Sequence, residues 1–230
     1  MSKRVLIIVT SNGQMGASGK TTGIWAEELA VPYLSMVDAG FEVEIASPLG
    51  GPVPFDPSSV KPRGGNDPVL ERFFADEVAQ GKMADTLAVA GARMDDFDAV
   101  MFPGGHGTMW DLPNDGEVTR IVEEAYRSDK IIGAVCHGIA GLVSAKRSDG
   151  RSILHGKRVN SFTNEEEIAA GLDDVVPFKL ESRVRELGGH FEKAANFQPF
   201  AVRDGKLITG QNPASSALVA EYVIESLLSN

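Results

Sequence analysis

Short, almost uniformly apolar runs alternate along the chain with longer stretches of mixed character. RVLIIVTS at 4–11, FEVEIASP at 41–48, FDAVMFPGG at 97–105 and KIIGAVCHG at 130–138 have the pattern of strands buried on both faces. Between them, TTGIWAEELAVPYLSMVDAG at 21–40, a segment near 67–80 and DGEVTRIVEEAYRSD at 115–129 predict helices. KRVNSF at 157–162 predicts a further strand, and PFAVRDGKLITG at 199–210 a hairpin turning at Asp204-Gly205. PASSALVAEYVIESLL at 213–228 closes the chain as a helix with Pro213 in its first turn. This alternation predicts an α/β fold: a doubly wound, mostly parallel sheet with helices on both faces.

Two segments break the rhythm. PLGGPVPFDPSSVKPRGGNDP at 48–68 is rich in Pro and Gly and too long for an ordinary connection, which predicts an ordered loop over a site. RSDGRSILHGKR at 147–158 reads as a polar connector or short hairpin. There is no internal repeat, and the length suits one domain over 1–230. In open α/β sheets ligands bind beyond the carboxyl ends of the strands, which here deliver Thr10–Gly19, Ser47–Pro54, Pro103–Thr108 and Cys136–Gly138.

GASGKTTG in the first of these loops looks like a phosphate-binding motif. Counting back from Gly19-Lys20-Thr21, however, the glycine that a Walker A loop requires falls on Gln14. A P-loop nucleoside triphosphatase is therefore not expected. The net charge of −10 disfavours a nucleic-acid partner, and no apolar run is long enough for a membrane span. The N-terminal run lacks a small-residue cleavage site, which leaves the cytoplasm as the expected location.

Cys136 is the only cysteine, so neither an internal disulfide nor a multi-cysteine metal site can form. It follows an apolar strand and precedes a predicted helix, with Ala134 and Gly138 two residues to either side. That is the layout of a nucleophile elbow with cysteine in place of serine. The helix N-terminus is expected to lower the thiol pKa. His137 follows directly, and its backbone N–H suits an oxyanion hole; Gly105, in the glycine-rich loop PGGHG, is a plausible second donor. Of Glu27 and Glu28, one is expected to face solvent and the other the site. SFTNEEEIAAG adds Glu165, Glu166 and Glu167 at a helix start that Thr163 or Asn164 can cap. His106 and His137 flank the proposed site, but no metal-ligand spacing occurs, and no metal is expected.

Taken in order, TGIWAEELAVPY, GFEVEIASPLGGPVPFDPSS, FPGGHGTMWDLP, AVCHG, SFTNEEE and TGQNPASS span nearly the whole chain. The chain resembles the ThiJ/PfpI superfamily, of the class I glutamine amidotransferase-like fold, in its glyoxalase III branch, whose members are also described as heat-shock chaperones and protein deglycases. The resemblance implies a flavodoxin-like domain with an insertion at about 48–96. It implies Cys136 as nucleophile, His137 as its partner and Glu28 as the glutamate against the cysteine. Glu167 becomes the acid orienting the histidine, with Glu166 one register away, and Gly105 and His106 line the oxyanion and substrate side. No cofactor is implied. The late His-x-Glu element of the amidotransferases has no counterpart in TGQNPASSALVAE, which argues against glutamine hydrolysis.

The expected activity is conversion of methylglyoxal to lactate without glutathione, with glyoxal or glycated protein as related substrates. A holding chaperone or redox sensor with an oxidisable cysteine is the alternative, and a small amidase or peptidase a weaker one. Members of the family commonly form dimers, so a homodimer is expected.

Overall fold

The structure is a computed structural model and describes residues 2–229. β1 (Arg4–Ile8) sits inside a seven-stranded sheet because both of its faces are apolar: Val5 and Ile7 pack to one side, Leu6 and Ile8 to the other, all fully buried. β2 (Glu42–Ser47) and β3 (Leu87–Ala88) extend the sheet from one edge of β1, and β4 (Ala99–Phe102) and β5 (Ile131–Val135) from the other. β9 (Leu207–Gly210) pairs beyond β5, and β8 (Ala201–Asp204) closes that edge. Every pairing is parallel except β8 with β9.

Two apolar layers flank the sheet. α1 (Ala26–Asp38), α2 (Pro68–Ala75), α3 (Glu77–Ala84) and α8 (Ser216–Leu228) cover the Val5 face. α4 (Thr108–Asp111), α5 (Gly116–Arg127) and α7 (Leu180–Glu186) cover the Leu6 face. α5 shows why: Val118, Ile121, Val122 and Ala125 are buried at helical spacing, and Asp115 caps its start by accepting from the Glu117 and Val118 N–H groups.

The departures from the sequence expectation have local causes. The first helix starts at Ala26 rather than near Thr21. Residues 22–25 are pulled out straight by Ile24 N–H to Pro54 O (2.8 Å), Asp56 N–H to Ile24 O (2.9 Å) and Thr22 Oγ1 to Asp56 Oδ2 (2.9 Å). The 67–80 helix is two helices, broken where Asp76 leaves helical geometry to cap α3. KRVNSF yields only β6 (Arg158–Val159), paired with β7 (His190–Phe191) in a separate two-stranded sheet. Beyond it, Asn160 N–H bonds Thr209 Oγ1 and Phe162 N–H bonds Cys136 O, drawing the chain across the site. The hairpin turns at Gly205-Lys206, since Asp204 still pairs with Leu207.

Candidate active site

Strand order reverses between β1 and β4, the switch point where an open parallel sheet leaves a crevice. A cavity of about 720 Å³ lies there, and Glu28, Gly105, His106, Cys136 and His137 all line it. The glycine-rich loop after β1 forms part of its rim through Met15, Gly19, Lys20 and Thr21. The 48–68 loop contributes Asp56, Pro57 and Ser58. The GASGKTTG loop and the Pro/Gly-rich 48–68 loop are thus walls of one chamber, whereas the other segment that breaks the rhythm, 147–158, lines no part of it.

Cys136 directly follows β5 with φ +57, a left-handed conformation that costs an L-residue about 1 kcal/mol or more. Gly138 permits it: a Cβ there would stand 2.0 Å from Phe102 O. The segment that follows is a run of 3-10 helix over Cys136–Leu142. The thiol is buried, and its Sγ lies 3.3 Å from His137 Nδ1. His137 Nε2 is 2.7 Å from Glu167 Oε2, and the other oxygen of Glu167 is 2.7 Å from His106 Nε2. The two imidazole rings lie 4.0 Å apart, so one carboxylate serves both.

α6 (Asn164–Ala169) sets that register. Thr163 accepts from the Glu166 N–H and Glu166 reaches back to the Thr163 N–H, a closed capping box. Glu166 is thereby committed to the backbone and to the Gln211 and Asn212 amides, whereas Glu167 meets the histidines. Glu165 points outward and pairs with Lys193. Of the two candidate orienting acids, Glu167 is the one in contact with His137.

Glu28 is fully buried in the first turn of α1, while Glu27 is only partly covered. Its Oε2 accepts from the Gly104 N–H at 2.9 Å, its Oε1 has no hydrogen-bond partner among the described residues, and the carboxyl interacts with the Cys136 thiol. Burial pushes the Glu28 pKa to about 8, against the pull of the thiol and the Gly104 N–H. At neutral pH Glu28 carries its proton.

The thiol reverses the sequence expectation. Burial, and then the neighbouring Glu28, push the Cys136 pKa well up, and the His137 backbone N–H opposes them without winning. A short 3-10 run supplies little axial dipole, so desolvation decides. Burial and the adjacent His106 lower the His137 pKa, leaving a neutral imidazole. Glu167 is buried too, but the two histidines outweigh that cost and hold its pKa far below the usual range. An ionised Glu167 only accepts, so both Nε2 atoms carry hydrogen and His137 Nδ1 is free to take the thiol proton.

Gly105 has φ +114 and no room for a side chain, and no hydrogen bond occupies its N–H among the described residues. His106, His137 and Glu167 each offer a ligand atom, all within 4.8 Å of one another. They are the residues that could hold an ion, though their mutual hydrogen bonds satisfy them already.

Sequence reasoning missed several parts. Asp111 ties the end of β1 to α4 through Thr10 Oγ1 and the Ser11 N–H, and burial raises its pKa to about 6. Ser59 Oγ accepts from the Ala26 N–H, fastening the 48–68 loop to the start of the Glu28 helix. Trp25, Phe162 and Phe197 line the cavity. The polar tripeptide Asp-Pro-Ser at 56–58 was the available signal for the loop contact; nothing local marked the aromatic residues. No helix among the described residues is long and apolar enough to cross a membrane.

A family model described as the DJ-1/PfpI family matches residues 21–226. The glutathione-independent glyoxalase hsp3101 of Schizosaccharomyces pombe is 29% identical over 96% of this chain and 95% of its own. The structure of Rapid Encystment Protein 24 KDa from Francisella tularensis superposes with a TM-score of 0.93 at 39% identity, covering 98% of this chain and 99% of that one. Glyoxalase III of Candida albicans superposes with a TM-score of 0.88 at 26% identity, with 97% of both chains covered.

Proposed function

The chain belongs to the DJ-1/PfpI family, and from that premise we propose that it is a glutathione-independent glyoxalase of the glyoxalase III type, turning methylglyoxal into lactate. The observation that carries the reading is the line from the Cys136 thiol through His137 to Glu167, with a protonated Glu28 against the same sulfur. As sulfur bonds to the aldehyde carbon, the thiol proton passes to His137 Nδ1, and Glu167 stabilises the imidazolium. The aldehyde oxygen gains charge beside the Gly105 and His137 N–H groups and takes the Glu28 proton.

Glu28, now a carboxylate, removes the C–H proton of the sulfur-bearing carbon, and the electron pair shifts to form an enediol as the imidazolium protonates the second oxygen. Glu28 then protonates the neighbouring carbon and recovers its proton from the first hydroxyl. The sulfur-bearing carbon is oxidised to a thioester and its neighbour reduced to an alcohol. Water cleaves the thioester, with its proton returning to sulfur, so the net change is addition of one water and no external oxidant is needed. Here His106 shares in holding Glu167 and faces the substrate. Residues 48–96 act as an insertion within a single domain, and the enzyme works as a cytoplasmic homodimer, which sedimentation would check.

The test is to incubate the protein with methylglyoxal in the absence of glutathione, following aldehyde loss and lactate together. Wild type yields lactate and Cys136→Ser yields none. Aldehyde loss without lactate would reflect simple adducts and sink the assignment.

A further inference from the structure

The cavity is larger than the substrate just assigned to it, and this inference rests on that reading. Methylglyoxal fills on the order of 100 Å³, a few waters' worth, of a chamber of about 720 Å³. Beyond the reacting groups, the wall is mostly apolar: Met15, Trp25, Phe162, Leu172, Phe197 and Pro213. Its rings lead outward from the chemistry. Phe162 lies 4.6 Å from the His137 ring and 6.2 Å from Phe197, centre to centre.

Phe197 is the unusual member. It is 49% exposed, and its φ of +60 places a bulky residue in the left-handed region where glycine or asparagine sits without strain. Its backbone is pinned there: the Phe197 N–H donates to the buried Oε1 of Glu166 at 2.7 Å, which also accepts from Gln211 Nε2 (3.0 Å) and Asn212 Nδ2 (2.9 Å). Glu166 therefore ties the helix start that presents Glu167 to the turn that presents Phe197. A half-exposed aromatic ring in a strained, firmly held turn at the mouth of an apolar chamber is built to meet a ligand.

We propose that Phe197, with Phe162 and Trp25, forms a subsite for the group on the ketone carbon, so that 2-oxoaldehydes bearing an aromatic or bulky apolar substituent are preferred over methylglyoxal. The reaction is the same: the aldehyde carbon is oxidised, the ketone carbon reduced, one water consumed, and a 2-hydroxy acid released. The mostly apolar wall suits an uncharged substituent better than a charged one.

Phenylglyoxal and methylglyoxal are compared by kcat/KM, followed as mandelate and lactate. Wild type favours phenylglyoxal by about 10-fold or more, the range over which apolar contacts discriminate. Phe197→Gly, which suits the left-handed backbone, reduces that ratio about 10-fold, and Phe197→Tyr preserves it. A wild-type ratio near one, or Phe197→Gly changing both substrates by the same factor, overturns the subsite. Alkylation of Cys136 by bromoacetophenone and by bromoacetone, each normalised to free cysteine, reads the subsite without turnover. A phenyl preference that Phe197→Gly abolishes supports it even if neither dicarbonyl is converted, in which case the glyoxalase reading alone fails. No phenyl preference overturns the subsite.

Discussion

Glu28 is held at a cost that pH exposes. In the unfolded chain its carboxyl ionises near 4.5, whereas in the fold it keeps its proton to about 8. Between those values only the unfolded state releases a proton, so this group's contribution to stability is full below about pH 4.5 and is lost as pH rises towards 8. Glu28→Gln, a close mimic of the protonated acid, is expected to raise Tm relative to wild type at pH 8 and to leave it unchanged near pH 4. Glu167 acts through geometry instead. Glu167→Gln can donate an amide N–H to His137 Nε2, which moves the imidazole hydrogen to Nδ1 and removes the acceptor for the thiol proton. Turnover, followed as lactate formation, is expected to fall by about 10²–10⁴. The sequence carried Cys136 through its elbow motif, and His137 and Glu28 through the family resemblance, but not the direction of the thiol pKa. That depends on burial and on Glu28, which is distant in the chain.

At the level of elements, the elbow works because β4 and β5 close tightly over Gly138. Gly138→Ala would set a methyl 2.0 Å from Phe102 O, a backbone atom that cannot swing aside. Loss of more than roughly 3 kcal/mol is expected in urea denaturation, together with loss of activity. A stability change below 1 kcal/mol would mean the strand ends are not packed as described. The four central strands were legible because parallel strands buried on both faces leave unbroken apolar runs. Element boundaries were less legible wherever tertiary hydrogen bonds override helical propensity. Residues 22–25 are the clearest case, straightened by Pro54 and Asp56 from a loop about thirty residues on.

Over the whole molecule, the net charge of −10 sets a long-range field that anions feel and neutral aldehydes do not. With an uncharged substrate, kcat/KM is expected to change less than about twofold from low to high salt. A steep rise with salt would instead point to an anionic substrate repelled by the surface. Architecture at this scale could be read from the alternation of strands and helices. The extent of the chamber could not, because its walls come from short, separated segments scattered between Met15 and Pro213.

The left-handed backbone at Cys136 makes the catalytic position one that the fold would rather fill with something else. Alanine normally outlasts glycine when a side chain is trimmed, but here the order should invert, with Cys136→Gly melting above Cys136→Ala by the equivalent of about 1 kcal/mol. A population of variants challenged only by heat would then drift towards chains that keep the scaffold and discard the chemistry. Retention of a cysteine at this point in a pool selected for aldehyde turnover as well as heat would accordingly report that the thiol, and not the shape of the loop, is what is being kept.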